Sequence, residues 1–140
     1  MRLRPSWAGL KVTYVTTDAG LKSVLEQDAK DTGDEVAGFH AVVDANLNAK
    51  FQLLRQLLQL VAVFRRSRPD VVITTGAAPG YFAVRLGRLF GARTIWIDSI
   101  ANADELSLSG KRLKNHADVW LTQWEHLERP EGPVFLGSVI

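Results

Sequence analysis

The residues of this chain with the most chemistry in reach follow one another closely. Asp98 closes the apolar run Arg93 to Asp98, "RTIWID". Ser99, Asn102, Ser107, Ser109 and Lys111 come soon after it. A carboxylate at the C-terminal end of a strand can face a crevice, bind hydroxyls, or act as a base. It can equally bond to nearby backbone and hold a loop. Asn102, Ser107 and Ser109 carry short polar groups of the kind that sugar binding uses. Ser109 is equally a helix N-cap. Lys111, Arg112 and Lys114 could contact phosphate, or simply lie on a solvated helix face.

A second group has almost no side chains. In "VVITTGAAPGYFAV", Val71 to Val84, an apolar run stops at Thr74, Thr75 and Gly76, and Ala77, Ala78, Pro79 and Gly80 follow. Free amides and the positive end of a helix make a place for an anion, and small residues let a phosphate or a sugar approach the backbone. The same residues also allow a helix and a strand to pack tightly. The pattern is neither Gly-x-Gly-x-x-Gly nor a P-loop, so both readings stay open.

Both groups need elements to position them. Lys11 to Thr16 reads as a strand that ends at Asp18-Ala19-Gly20. Leu21 to Gln27 reads as a short helix, Asp28 to Glu35 as a polar loop and Phe39 to Val43 as a weak strand. Asn46 can cap a long helix, Leu47 to Arg66, whose apolar residues recur at helical spacing and whose last turn is basic. Val71 to Thr75, apolar on both faces, reads as a buried parallel strand. Pro79 suits the first turn of a helix running to about Phe90, with Gly91 ending it. Beyond Asp98, a loop to Leu108, a short helix Ser109 to Ala117 and a strand Val119 to Thr122 are expected. A helical turn Glu125 to Glu128 and a last strand Val134 to Leu136 complete the pattern. Strands alternating with helices predict an α/β fold, a Rossmann-like, mostly parallel sheet flanked by helices. Ligands in such sheets bind beyond the C-terminal strand ends, where both groups lie.

The totals narrow the classes. One domain is the expectation for 140 residues, and 46% hydrophobic with 23% charged is ordinary for a globular protein. A net charge of +2 argues for no nucleic acid partner. Basic residues still cluster, at Arg65, Arg66 and Arg68 and again at Lys111, Arg112 and Lys114, and such clusters can meet phosphate or anionic lipid. The chain has no cysteine, which excludes disulfides and thiolate metal sites. His40, His116 and His126 have no metal-ligand spacing, so no metal is expected. No run is long enough to span a membrane, and the N-terminus is not a signal peptide.

The motifs "TTGAAPG", "DSIAN…LSLSGK", "ADVWLTQW" and "GSVI" together resemble the Alg-fourteen-like oligosaccharide biosynthesis family. The resemblance covers Pro69 to Ile140, and more loosely Lys11 to Asp18. It implies the N-terminal, acceptor-side half of a two-domain inverting glycosyltransferase of GT-B type, with the donor domain on a separate subunit. A UDP-sugar, of UDP-N-acetylglucosamine or UDP-glucuronate type, would be the co-substrate, bound mainly by that partner, and no other cofactor is implied. The acceptor would be a lipid-linked sugar in polysaccharide or glycolipid synthesis. The chain would be cytoplasmic or peripheral on the inner face of the membrane. On this resemblance Thr75, Gly76, Ala77, Ala78, Pro79, Gly80, Ser99, Asn102, Ser107, Ser109 and Lys111 would face the acceptor, and Asp98 is the one plausible catalytic base that this chain offers. Gln123, Trp124, Val134, Phe135, Leu136, Gly137 and Ser138 would face the partner. The family opens with a strand, a Gly-Gly-His loop and a helix, and this chain has no Gly-Gly-His. A sheet without that strand should lose central pairing and expose apolar edges. Two other readings fit the residues: a non-catalytic scaffold that recruits the donor-binding subunit, and a free-standing nucleotide-binding α/β domain.

Overall fold

The computed structural model of the chain describes residues 4–33, 36–45 and 49–138. It divides into two compact units, Met1–Asp44 and Ala45–Ile140.

In the first unit a 3-10 turn, Arg4–Trp7, precedes strand β1, Val12–Thr16. The Trp7 indole donates to the Tyr14 hydroxyl at 3.1 Å. Helix α1, Leu21–Thr32, follows, and strand β2, Val36–Ala41, runs parallel to β1 with Tyr14 beside Phe39. The helix continues through residues expected to be a polar loop. Leu25 and Ala29, one turn apart, are both buried, and that one apolar stripe outweighs the polar residues between them. Gly33 ends the helix at φ 72°, where its N–H reaches the Ala29 carbonyl.

The second unit opens with helix α2, Lys50–Ser67, which buries Gln56, Leu60, Val63 and Phe64. The expected cap Asn46 and first residue Leu47 lie outside the described residues. Arg68 turns left-handed at φ 44° and ends the helix before Pro69. Strand β3, Val71–Thr74, leads to helix α3, Ala77–Leu89, and then to strand β4, Arg93–Ile97. A short helix α4, Leu108–Arg112, strand β5, Val119–Thr122, a 3-10 turn Glu125–Leu127 and strand β6, Val134–Phe135, complete it. The sheet order is β3-β4-β5-β6, and every pair is parallel.

One face of this sheet is dry. Val84 of α3, Trp96 of β4 and Leu113 after α4 are fully buried, with Tyr81, Ala117 and Trp120 packed around them. Helix α3 lies close to the sheet because Gly87 has no side chain. A Cβ there would stand 2.9 Å from both Val72 and Thr94 methyl carbons. The other face is partly open. Val71 and Ile73 of β3 are 48% and 44% exposed. Register places Ile73 beside Ile95 and Ile95 beside Val119, itself 40% exposed. The expectation of a strand buried on both faces therefore fails at β3, which is the edge strand of its sheet. The described strands pair as two parallel sheets, β1 with β2 and β3 through β6, where one sheet was expected.

Candidate functional site

The strand β3 ends in a threonine that organises the turn after it. Thr74 Oγ1 accepts from the Gly76 amide at 3.2 Å. Gly76 then takes φ 124° and Ala77 φ 62°, both in the left-handed half of the backbone map, and α3 starts there with no side-chain cap. The first amides of a helix lack intrahelical acceptors, so Ala77 and Ala78 present two N–H groups, while Pro79 brings none. Thr75 and Ala77 are exposed, and Gly76, Ala78 and Pro79 are half-buried. Gly80 plays a different part. A Cβ on it would collide with Thr74 Oγ1 and lie 3.4 Å from the Trp96 ring. Of the two readings of the small residues, tight packing describes Gly80, and open backbone describes Ala77 and Ala78.

Asp98 sits just past β4 and is 1% exposed. Its Oδ1 accepts from the Ser99 amide at 3.1 Å and from Asn102 Nδ2 at 3.1 Å. Its Oδ2 accepts from the Ser107 amide at 2.8 Å. One carboxylate thus ties both ends of the loop between β4 and α4. Ser107 is the N-cap of α4, its hydroxyl accepting from the Gly110 amide at 2.9 Å. The expected cap, Ser109, is two residues too late, because the helix begins at Leu108. Glycine at 110 lets α4 settle here. A Cβ would stand 2.9 Å from Ser107 Oγ, 3.1 Å from Trp96 Nε1 and 3.2 Å from Asp98 Oδ2.

A second set of bonds holds the same loop from β5. Gln123 Nε2 donates to the Asp98 carbonyl at 2.8 Å, and Trp124 Nε1 donates to the Ile100 carbonyl at 3.0 Å. His126 Nε2 lies 2.7 Å from the Ala103 carbonyl. These three side chains come in the same order after β5 as their carbonyl partners do along the loop. Gln123 is buried and its amide is turned inward. Val134 is 44% and Leu136 77% exposed, and Gly137 and Ser138 are exposed too.

Trp96 is the centre around which these parts meet. Its ring approaches Gly76, Gly80 and Gly110 together, and its indole N–H has no partner among the described residues. The glycine turn and the Asp98 loop are therefore neighbours. Ser99, Asn102, Ser107 and Ser109 are half-buried around them. Lys111 is exposed and pairs with Glu105 at 2.7 Å, which holds the Glu105 carboxyl below its usual range. No cluster of His, Asp and Glu among the described residues could hold a metal ion.

Sequence reasoning missed Trp96, His126 and the bonding of Gln123. Trp96 reads as one apolar residue in an apolar strand, and nothing local marks it as the meeting point. The carbonyl partners of Gln123, Trp124 and His126 are distant in sequence, so no spacing rule finds them.

A parallel sheet with an uncapped helix start at one strand end and a tied loop at the next makes a Rossmann-like α/β domain with both features at the C-terminal strand ends. The structure of MurG from Acinetobacter baumannii is similar, with a TM-score of 0.70 at 15% identity, over 98% of this chain and 38% of that one. That likeness shows the fold, which is that of the N-terminal half of the two-domain architecture. The family model described as "Oligosaccharide biosynthesis protein Alg14 like" matches residues 27–138. The chain belongs to that family. No curated protein matches it.

Proposed function

We propose that this chain is the acceptor-side subunit of an inverting glycosyltransferase, with the donor-binding domain on a partner subunit. In this reading the partner presents a UDP-sugar, and this chain holds a lipid-linked sugar whose pyrophosphate meets the start of α3. Family membership and the GT-B fold support the general role. The observation that carries the acceptor site is the uncapped start of α3, with exposed Ala77 and half-buried Ala78. An anion there meets free amides and the positive end of the helix dipole. Thr75, Gly76, Ala77, Ala78 and Pro79 then line the pyrophosphate side, and Ser99, Asn102, Ser107, Ser109 and Lys111 the sugar side.

Asp98 is assigned a positioning role. Its two oxygens accept three hydrogen bonds and its side chain is almost wholly enclosed, which suits a loop holder better than a group that takes a substrate proton. The exposed segment Val134, Phe135, Leu136, Gly137 and Ser138 is the proposed contact with the partner. Gln123 and Trp124, which follow the Thr122 paired with Phe135, are assigned to the same contact. Peripheral attachment to the inner membrane face completes the reading.

The test is transfer of labelled sugar from a UDP-sugar to a lipid pyrophosphate acceptor, with this chain and a donor-binding subunit supplied together. Ala78→Glu places a carboxylate at the helix start, where the dipole favours it and the fold is kept. Transfer should fall at least tenfold while the thermal midpoint stays the same or rises. Unchanged transfer in that variant, or transfer that does not depend on this chain, overturns the reading.

A further inference from the structure

The turn that follows β5 is bonded to the Asp98 loop on one side and to β6 on the other. Toward the loop, Trp124 Nε1 donates to the Ile100 carbonyl at 3.0 Å, and His126 Nε2 lies 2.7 Å from the Ala103 carbonyl. A carbonyl only accepts, so His126 carries a proton on Nε2. The two rings have centroids 6.1 Å apart, which packs these donors against each other. Toward β6, the Phe135 amide donates to Glu128 Oε1 at 3.1 Å, and the Arg129 amide donates to the Pro133 carbonyl at 3.2 Å.

Arg129 joins the two sides. Its Nη1 donates to the His126 carbonyl at 2.8 Å and to the Glu128 carbonyl at 2.6 Å. Leu127, between those two residues, is buried and pins the turn to the core. A series of bonds thus runs from Phe135 through Glu128, Arg129 and His126 to Ala103. Its members lie near the surface, where each bond competes with water and is weak alone. Covering them would exclude water and strengthen the whole series. Phe135 lies in the segment assigned above to the partner, and Ser99 and Asn102 lie in the loop assigned to the acceptor sugar.

We propose that Trp124, His126 and Arg129 are positioning residues that convey partner docking at Val134 to Ser138 to the acceptor loop. The inference rests on the function proposed above. Docking fixes Phe135 and Glu128, and Arg129 then steadies the His126 carbonyl. Trp124 and His126 hold Ile100 and Ala103, which sets Ser99 and Asn102 against the acceptor. By linkage, bound acceptor tightens the partner by the factor that the partner tightens the acceptor.

Hydrogen exchange of the full chain tests it at the Ala101, Asn102 and Ser107 amides, each of which donates within the loop or to Asp98. Arg129→Ala touches none of them, yet it should speed their exchange about fivefold, the effect of losing one hydrogen bond, while β3 and β4 keep their rates. His126→Leu and Trp124→Phe should do the same. Arg129→Ala with His126→Leu should be no faster than the faster single variant, because both break one series. His126→Gln, which keeps a donor, should restore slow exchange. A donor-binding subunit should slow these amides in the parent chain, and should bind the Arg129→Ala chain without slowing them. In sugar transfer, His126→Leu should raise the KM for the lipid acceptor about fivefold and leave the KM for the UDP-sugar unchanged. Unchanged loop exchange in Arg129→Ala, or effects of Arg129→Ala and His126→Leu that multiply, overturns the proposal. Equal speeding in β3 and β4 also overturns it, since the whole unit is then loosened. A complex that forms without slowing the loop overturns the proposal and leaves the subunit reading in place. Failure of any complex to form overturns the subunit reading, and the proposed signal with it.

Discussion

Thr94 and Asp118 show how much one pair of residues can do at a strand end. Thr94 is fully buried in β4, and Asp118 stands at the start of β5. Asp118 Oδ2 accepts from the Thr94 amide at 2.7 Å and from its hydroxyl at 2.9 Å. The Asp118 amide returns a bond to the Thr94 hydroxyl at 3.1 Å. The Thr94 amide, then its hydroxyl, hold the Asp118 carboxyl below the usual carboxylate range against the cost of burial, and Arg88 and Arg93 add a lesser pull the same way. A lowered folded pKa means the stabilisation is complete above the unfolded value, near about 4, and is lost as pH falls through the folded one. Asp118→Asn should therefore unfold more easily than the parent at pH 7. The gap should stay level down to about pH 5 and narrow in stronger acid. Urea midpoints across that range check it, and a gap that widens toward acid refutes the assignment. At this scale the sequence was partly legible. Asp98 stood out by its place at a strand end, but its bonds to Ser99, Asn102 and Ser107 needed coordinates to be seen. Asp118 drew no attention, because Thr94 lies on another strand.

At the scale of elements, the approach of α3 to the sheet is set by glycine rather than by any attractive contact. Gly87→Ala gains about 1 kcal/mol of helix propensity. Overpacking against Val72 and Thr94 at 2.9 Å costs roughly 1–3 kcal/mol, so the variant should be destabilised. Val72→Ala alone leaves a small cavity, yet combined with Gly87→Ala it supplies the missing room. A double-mutant cycle by chemical denaturation should give a favourable coupling of about 1 kcal/mol. Additive effects would mean that the helix moves away freely. Strand positions were well legible, since β1, β4 and β5 declare themselves by β-branched and aromatic runs between turn residues. Helix limits were less so. Helix α1 outran its expected end because two buried residues one turn apart matter more than the polar residues around them. Helix α4 began earlier than expected because Ser107, not Ser109, had Gly110 within reach.

For the whole molecule, the division into two parallel sheets leaves β3 as an apolar edge. A short uncharged edge strand with exposed Val71 and Ile73 is a template for pairing with another chain. Ile73→Lys puts charge on the open face at little cost to the core, because Ile73 is already 44% exposed. Light scattering at rising concentration should show less association in this variant, with an unfolding midpoint within about 0.5 kcal/mol of the parent. A large loss of stability would mean that the face is covered in solution. The parallel α/β class could be read from strands alternating with helices. The pairing was not readable, since alternation says which elements exist and not which strand lies beside which.

The tie at Asp98 fastens a loop at its two ends, and Trp124 and His126 hold it between them at the Ile100 and Ala103 carbonyls. Asp104 and Glu105 stand on the exposed outer bend, away from the fastening. Asp104 can be exchanged without touching either tie, whereas Glu105 also pairs with Lys111 of α4. Such a layout lets the tip of the bend change while the frame beneath it stays folded.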